Sequence, residues 1–460
     1  MATGFAFASG DVHGAAPHLN GADLSIFWVI PFAGILLSIA VFPLLASHFW
    51  HHNFGKICAF WSVLLIVPFL FKTGFSITLY ELLHVGLLEY IPFIILLLAL
   101  FTISGGVQLT GTLVGKPIVN TGVILIGTIL ASWMGTTGAA MLLIRPLIRA
   151  NKDRQNKVHV IVFFIFLVAN IGGSLTPLGD PPLFLGFLKG VDFFWTTSAM
   201  FVPMLFMAVC LLAIFFALDT FLYNREESHI VPNSTEKLGI KGSLNLLLLV
   251  GVIGGVLLSG FWHPHISFEV FHVHMELQNI VRDLLLLGLT YASWQMTSQS
   301  IREANEYTWF PIVEVAKLFA GIFITIIPAI AILKAGTDGA LASVINSVSN
   351  EAGPVNYMYF WATGVLSSFL DNAPTYLVFF NTAGGDPSLL MGDLSQTLLA
   401  ISAGAVFMGA NTYIGNAPNF MVKSISESSG IEMPSFFGYL FKWSLPILIP
   451  LFILVSFLFF

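Results

Sequence analysis

Long apolar runs that contain few charged residues are the feature that most limits what this chain can fold into. A helix needs about 20 apolar residues to cross the hydrocarbon core of a bilayer. The runs are continuous and do not alternate with polar residues, which predicts membrane-spanning helices and not the strands of a barrel. We predict simple spans at 26–47, 57–71, 90–110, 195–222, 243–262, 280–297, 311–333 and 435–460.

The composition agrees with a helical membrane protein and excludes several other classes. Of 460 residues, 57% are hydrophobic and 9% are charged, whereas a soluble domain carries about a quarter charged residues. The two cysteines, Cys58 and Cys210, lie inside apolar runs, which excludes a secreted disulfide scaffold. A net charge of −6 argues against a nucleic-acid partner. The lipid bilayer is therefore the first partner that the sequence predicts.

Four further apolar segments are interrupted by Gly, Pro, Asn or Asp. We interpret 118–150 and 354–382 as re-entrant helical hairpins, and 158–189 and 395–426 as broken transmembrane helices. Backbone groups freed by such breaks persist at membrane depth only where they line a cavity or are buried in protein. The breaks therefore predict a lined site inside the membrane.

Basic residues predict the orientation of the chain. The loop 145–157 carries five Lys and Arg residues, which places it in the cytoplasm by the positive-inside rule. With re-entrant hairpins, most of the 18 Lys and Arg residues then fall on the cytoplasmic side. We predict a multi-pass protein of the cytoplasmic (inner) membrane, with residues 1–25 as an extracytoplasmic N-terminal segment.

Two regions of the chain match at a constant offset of 236 residues. Gly173–Phe184 reads GSLTPLGDPPLF and Gly409–Phe420 reads GANTYIGNAPNF, and the same offset pairs SWMGTTG from Ser132 with SFLDNAP from Ser368. One copy starts at the inner face and the other at the outer face, a layout that many secondary transporters share. We predict an all-α polytopic membrane protein with two inverted repeats, 26–222 and 243–460, joined by a cytoplasmic linker, 223–242.

Polar side chains concentrate at the four breaks and form the candidate ion- or substrate-binding site. Their hydroxyl, amide and carboxylate oxygens suit a hard cation such as sodium, with Asp371, Asn372 and Thr412 as its candidate ligands. The candidates are Thr136, Thr137, Ser174, Thr176, Asp180, Asp371, Asn372, Asn411, Thr412 and Asn416.

Asp180 and Asp371, the two acids at the breaks, can each cap a helix or take part in transport. An acid at the bilayer centre costs about 2.5–3.5 kcal/mol to insert and is functional by default. This favours a functional Asp371 over one that only caps a helix. For Asp180, which precedes two prolines, capping of the next half-helix and function are equally good explanations. No Lys or Arg lies at a break, which favours a cation or proton over a multivalent carboxylate, although helix N-termini can also hold an anion.

The hairpin followed by G-x-x-T-x-L/I-G-D/N-x-P-x-F, present twice, resembles the ion transporter superfamily. That group includes NhaD-type sodium/proton antiporters, arsenite pump membrane proteins, and citrate and dicarboxylate carriers. SSFLDNAPT from Ser367 resembles the S-x-x-x-D-N-x-P-T pattern of the antiporter and arsenite branches, whereas Gly179-Asp180-Pro181-Pro182 is similar to the carboxylate branch. The resemblance implies a scaffold that dimerises and a transport unit that moves in alternating access. It also implies a site made by Thr136, Thr137, Ser174 and Thr176 in one repeat and Ser367, Asp371, Asn372, Asn411 and Thr412 in the other.

These features predict a secondary active transporter and no enzyme. The chain has no G-x-S-x-G, no H-E-x-x-H and no Walker loop, and we expect no cofactor besides the transported sodium ion and proton. Our first prediction is a homodimeric sodium/proton antiporter. The alternatives are a sodium- or proton-coupled citrate or dicarboxylate symporter and an arsenite-type anion/proton carrier.

Overall fold

The computed structural model describes residues 17–226, 236–351 and 353–460, and these residues are mainly α-helical. The predicted N-terminal segment 1–25 and linker 223–242 lie partly outside the described residues. Three small antiparallel sheets connect helices; they pair β1 (Gln108–Thr110) with β2 (Gly239–Lys241), β3 (Ser267–Val270) with β4 (Val273–Glu276), and β5 (Ser349–Asn350) with β6 (Gly353–Pro354). The all-α class predicted from the apolar runs is therefore confirmed.

The helices fall into two series along the chain. Proline occupies the first turn of many of them, where its missing N–H has no intrahelical partner to lose. The first series is α1 (Ile30–Leu45), α2 (Ser47–Val85), α3 (Ile91–Ser104), α4 (Pro117–Met134), α5 (Thr136–Ala150), α6 (Val158–Leu167), α7 (Pro181–Leu188) and α8 (Phe193–Tyr223). The second is α9 (Leu244–Phe261), α10 (Leu277–Met296), α11 (Gln299–Ala304), α12 (Phe310–Thr325), α13 (Ile327–Lys334), α14 (Ala342–Val348), α15 (Asn356–Phe369), α16 (Asn372–Thr382), α17 (Pro387–Met391), α18 (Ser395–Met408), α19 (Ala417–Ser428), α20 (Phe436–Tyr439) and α21 (Leu445–Phe459).

Several helical stretches are long and apolar enough to cross a membrane, which makes the chain a multi-pass membrane protein. Helices α12 and α13 add a further candidate, bent by 42° where they meet. The stretches are Ile26–Leu45, His48–Ser104, Pro117–Met134, Phe193–Tyr223, Leu244–Phe261 and Phe436–Phe459.

The predicted spans 57–71 and 90–110 leave residues 72–89 as a connection between them, but the structure shows these residues to be helical. The helical run is interrupted at Gly74, whose φ of 83° lies in the left-handed region that favours glycine. A single residue of this kind turns the helix without the loop that the sequence led us to expect. The turn is followed by a π-helical stretch, Gly86–Tyr90, which leads into α3.

Both predicted hairpins and both predicted broken helices have helix ends within two residues of the expected bounds. The arms α4 and α5 pack together around Gly135, and α15 and α16 pack together around Leu370 and Asp371. Helix α6 ends before a 3-10 turn, Ile171–Ser174, and α18 ends before another, Gly409–Asn411. Because α4 alone is long enough to span, the re-entrant path of the hairpins stays a prediction, as does the inversion of the repeats.

The two half-helices α6 and α18 lie at the centre of the molecule. Every residue of α6 from Val160 to Leu167 is at most 1% exposed, and α18 is buried on nearly all sides. A helix that is apolar all round is stable only when other elements enclose it. Their ends therefore place both chain breaks in the protein interior, away from lipid.

Candidate functional site

The carboxylate of Asp180 joins three other segments at one point. Its Oδ1 accepts hydrogen bonds from Thr136 Oγ1 at 3.2 Å and from Asn416 Nδ2 at 2.9 Å. Its Oδ2 accepts one from Asn372 Nδ2 at 2.6 Å. Asp180 is 1% exposed. Both hairpin tips and both helix breaks therefore meet at this carboxylate, and we call this place the Asp180 junction.

Four helix N-termini converge on the Asp180 junction. Thr136 is the first residue of α5 and Asn372 the first of α16, while Asp180 and Asn416 are the N-cap residues of α7 and α19. Each N-terminus carries a partial positive charge of roughly half a unit. The junction thus combines one carboxylate with the positive ends of four helices, an arrangement that favours anionic groups.

Hydrogen bonds repeat at positions 236 residues apart. Thr176 Oγ1 donates to the carbonyl of Ser132, and Thr412 Oγ1 donates to the carbonyl of Ser368. Each threonine oxygen also accepts the N–H two residues further along the chain, at 3.2 Å in both cases. The two matched segments therefore fold with the same local contacts, although the first match was only a sequence pattern.

Two pairs of glycines explain the matched G-x-x-x-x-x-G spacing. A Cβ on Gly179 would lie 2.1 Å from the carbonyl oxygen of Gly173, and one on Gly415 would lie 2.5 Å from that of Gly409. Such contacts are far shorter than real carbon–oxygen contacts, so no side chain fits at Gly179 or Gly415. The close approach closes each break into a compact turn.

Two buried amide oxygens at the second break have no hydrogen-bond partner among the described residues. They are Asn372 Oδ1 and Asn411 Oδ1, on side chains that are 0% and 4% exposed. Asn411 is held in place because its Nδ2 donates to Ser368 Oγ at 2.9 Å. Buried acceptors of this kind normally have a partner, and amide oxygens are ligands of hard cations.

Asp371 is the N-cap of α16. Its Oδ1 accepts the N–H of Ala373 at 3.0 Å, and the side chain is half-buried. Asp371 directly precedes Asn372, which bonds Asp180, but no hydrogen bond joins the two acids among the described contacts. The structure thus gives Asp371 the capping contact that the sequence offered as its alternative role, and leaves its role in transport untested.

The remaining candidates mainly serve the backbone. Ser174 Oγ donates to Ile171 at 2.8 Å within its own turn, and Ser367 Oγ donates to the carbonyl of Ala405 at 2.7 Å. Thr137 is half-buried at the start of α5. The hydroxyl of Ser174 therefore stabilises its own turn, and that of Ser367 links the second hairpin to α18.

Two asparagines of the site were not predicted from the sequence. Asn170 Nδ2 donates to Asn419 Oδ1 at 2.7 Å, and Asn416 Nδ2 lies 3.4 Å from Asn170 Oδ1. Asn419 Nδ2 donates to the carbonyls of Gly409 and Thr412, each at 2.8 Å. Asn170 was detectable as a lone amide after an apolar half-helix, a type of residue that seldom lies in a membrane without a function. Asn419 has no polar counterpart in the first copy, so the repeat concealed it.

A second buried polar centre lies at the other end of the first hairpin. Arg154 Nη2 and His159 Nε2 each lie 2.8 Å from Asp219 Oδ1, and Arg154 Nε lies 3.0 Å from Glu226 Oε1. Asn120 Nδ2 donates to Asp219 Oδ2 at 2.9 Å. We call these residues the Arg154 cluster. It ties the ends of α4 and α6 and the 145–157 loop to α8, and Asp219 was detectable as an acid inside an apolar run.

Comparison with known families agrees with this architecture. Residues 21–460 match the CitMHS_2 family model, described as "Putative citrate transport". Because the match covers nearly the whole chain, the protein belongs to this family, which is of the ion transporter type predicted from the motifs. No curated protein sequence matches the chain. The protein is thus a secondary transporter, and the closer likeness to NhaD-type antiporters stays a prediction.

Proposed function

We propose that this transporter carries citrate or a related small carboxylate together with a sodium ion or a proton, and that both are bound at the Asp180 junction. The family match over residues 21–460 supports the carboxylate cargo. The observation that carries the proposal is the convergence of four helix N-termini at one buried point. It supplies a positive potential without any Lys or Arg.

The acidic residues of the same site are the reason to propose a coupling cation. Among the described residues, Asp180 is bonded to neutral hydroxyl and amide groups, and a second acid, Asp371, directly precedes its partner Asn372. Two carboxylates that share a water-poor site repel each other unless a cation or a proton lies between them. The unpartnered Oδ1 atoms of Asn372 and Asn411 add neutral ligands for that cation. Cation binding then removes the repulsion that would otherwise exclude a carboxylate substrate.

Sodium/proton antiport is the second candidate, and the proximity of Asp180 and Asp371 favours it. A pair of interacting acids can exchange a proton for a sodium ion at one place without any organic cargo. In this case the helix ends serve only to stabilise the two carboxylates. The two candidates differ in whether citrate is required for ion movement.

Reconstitution into proteoliposomes tests both candidates with one preparation. We expect labelled citrate to accumulate when an inward sodium or proton gradient is imposed, and Asp180→Asn to abolish the accumulation. Asp338→Asn is the matched control, because Asp338 lies in an exposed turn after α13. Collapse of a pH gradient by sodium pulses in the absence of citrate, with no citrate uptake, would overturn the proposal in favour of antiport.

We propose three further features, the first from the family resemblance and the other two from the distribution of basic residues. They are a homodimer, insertion in the cytoplasmic membrane, and an N-terminus on the outer side. Cysteine labelling at residues of the 145–157 loop tests the orientation, since those residues should react only from the inside.

A further inference from the structure

A cleft of about 210 Å³ opens between the first hairpin and the loop that precedes α12. It lies away from the Asp180 junction, on the side of the molecule that carries the 145–157 loop. Its walls include Met141 and Arg145 of α5, Met421 and Ser424 of α19, and Glu306 of the loop. Drug-sized ligands occupy pockets of roughly 300–1,000 Å³, so this cleft suits a smaller molecule.

Arg145 is the only basic side chain among the residues that line the cleft, and it is incompletely paired. Its side chain is 13% exposed, and Nη2 lies 2.9 Å from Glu306 Oε2. Its Nη1 is buried and has no hydrogen-bond partner among the described residues. A guanidinium binds a carboxylate best with two parallel N–H groups, and Glu306 engages only one of them. The present pairing therefore leaves part of the binding capacity of Arg145 unused.

Glu306 is held in an unusual backbone conformation that brings it to Arg145. Its φ is 49°, at the position just past the end of α11 where the left-handed conformation usually requires glycine. The N–H of Tyr307 bonds to the carbonyl of Arg302 at 2.8 Å and the N–H of Glu306 to that of Glu303 at 2.9 Å, which closes the turn. This conformation is unfavourable for a residue with a side chain, so the closed turn holds Glu306 in place.

The loop that carries Glu306 is fixed to α3 and its continuation. Asn305 Nδ2 donates to the carbonyls of Gly105 and Val107, at 2.9 and 2.8 Å. Arg302 Nη1 donates to the carbonyl of Thr102 at 3.2 Å. Arg145, by contrast, belongs to α5, whose first residue bonds Asp180. The Arg145–Glu306 pair thus bridges the hairpin that forms the junction and a separate, anchored part of the protein.

We propose that Arg145 is a docking point for a carboxylate group of the substrate, and that Glu306 occupies it when no substrate is present. A free carboxylate can bond Nη1 and Nη2 together, whereas Glu306, 69% exposed in its side chain, uses Nη2 alone. The exposed Glu306 side chain can swing into water when it is displaced. This inference rests on the proposed carboxylate cargo, and it adds a second binding point for that cargo.

The position of the cleft places the docking point on one side of the Asp180 junction, between two helices that begin at the junction. Arg145 is nine residues along α5 from Thr136, which corresponds to about 14 Å of helix. Met421 and Ser424 are likewise one to two turns along α19 from Asn416. The cleft therefore lies between the same two helices that start at the Asp180 junction. A carboxylate that leaves or approaches the junction on this side passes Arg145.

The test compares two variants that break the same ion pair. Citrate KM is measured on each face, with intact cells for the outer face and inverted membrane vesicles for the inner face. We expect Arg145→Gln to raise the KM on the loop 145–157 face about tenfold or more, the effect of losing a charged hydrogen bond. Glu306→Gln removes the internal competitor and is expected to lower the same KM severalfold. The KM on the opposite face should stay unchanged in both.

Matched controls separate docking from net charge and from folding. Arg149→Gln removes a positive charge one turn along α5 but outside the cleft, and Glu427→Gln removes a negative charge from an exposed ion pair with Lys423. Both should leave KM unchanged. If Arg145→Gln and Glu306→Gln shift KM in the same direction, or neither shifts it, the pair is only structural and the docking point is overturned.

Failure of the proposed function gives a different result. If the wild-type protein transports no citrate, calorimetric titration of purified full-length protein with citrate decides the docking point alone. Binding that Arg145→Gln abolishes and Glu306→Gln strengthens keeps the docking point while the cargo proposal fails. Absence of citrate binding to the wild-type protein overturns the docking point.

Discussion

Asp180 and Asn416 occupy equivalent positions in the two matched segments, 236 residues apart, and they are hydrogen-bonded to each other at 2.9 Å. Their hairpin partners, Thr136 and Asn372, are equivalent as well, and each donates to a different oxygen of Asp180. The two copies therefore meet at their own equivalent residues. Of these four residues only Asp180 is charged, so the junction is similar in shape on both sides but not in electrostatics.

Asp180→Asn should abolish coupled transport and destabilise the protein. The new amide would place a donor where Asn372 or Asn416 already donates, so at least one charged hydrogen bond is lost, at about 1.5–3 kcal/mol. We expect the double variant Asp180→Asn with Asn416→Asp, which moves the carboxylate to the equivalent position, to recover part of the thermal stability. Transport and unfolding temperature in detergent measure both effects. Wild-type transport by the single variant would contradict the role of the junction.

Asp371→Asn removes the charge of Asp371 but keeps a side chain that can cap α16. Asparagine caps a helix as well as aspartate does, so we expect the unfolding temperature to stay near that of the wild type. Loss of the carboxylate should nevertheless abolish cation-coupled movement, because the cation then loses one of its two acids. The measurement is sodium- or proton-driven uptake in proteoliposomes. Unchanged uptake would show that Asp371 only caps α16.

Sodium should stabilise the protein through Asn411. A ligand that binds only the folded state adds about 2.7 kcal/mol of stability at 100 times its Kd. We expect sodium, compared with choline, to raise the unfolding temperature of the wild type but not of Asn411→Ala, which lacks the unpartnered oxygen. Asn381→Ala is the control, because Asn381 is buried in α16 and its Nδ2 donates to the carbonyl of Leu377 in the same helix. An equal sodium effect in both variants would exclude Asn411 as a ligand.

Alanine at the tight turns should prevent folding. Gly179→Ala and Gly415→Ala place a Cβ against a carbonyl oxygen in each copy, at 2.1 and 2.5 Å. Because backbone atoms cannot move aside cheaply, we expect little folded protein in size-exclusion chromatography. Gly122→Ala in α4 is the control, since nothing lies within 4 Å of its added carbon, and alanine there should stabilise the helix by about 1 kcal/mol. Normal yield of either turn variant would contradict the proposed close approach.

Arg154→Met should cost more stability than any surface substitution. It leaves Asp219 and Glu226 buried without their cation, and breaking a buried ion pair costs about 3–5 kcal/mol. Arg149 is exposed in the last turn of α5, so Arg149→Met should lower the stability far less. Chemical denaturation of the two purified variants gives the comparison. Equal stability of both would show that the Arg154 cluster is not an energetic anchor.

The sequence predicted those parts of the site that depend on local chemistry. Segments where Gly and Pro occur together with Asn or Asp inside apolar runs mark the helix breaks, so the bounds of the hairpins and half-helices were found within two residues. The fixed offset paired Ser132 with Ser368 and Thr176 with Thr412, and both pairs make the same contacts. These features need no knowledge of the tertiary fold.

The parts that the sequence could not predict depend on which segments meet. Asp180 and Asp371 both precede a helix. Local patterns therefore cannot show that Asp180 bonds three other segments, whereas Asp371 caps α16. Asn170 and Asn419 bond across 249 positions of the chain. The sharp turn at Gly74, which replaces a loop between two helical runs, depends on one glycine conformation that composition does not reveal. The family match favours the carboxylate alternative, and sodium/proton antiport stays a prediction.

The Arg154 cluster has a consequence for how the protein is assembled during synthesis. Asp219 lies near the end of α8, 65 residues after Arg154, and it would enter the bilayer as a lone charge if α8 inserted by itself. The ribosome delivers Arg154 and His159 first, so their side chains are ready when α8 emerges. We therefore expect the first hairpin and α8 to leave the translocon as one unit, with the ion pair formed before the second half of the chain is made.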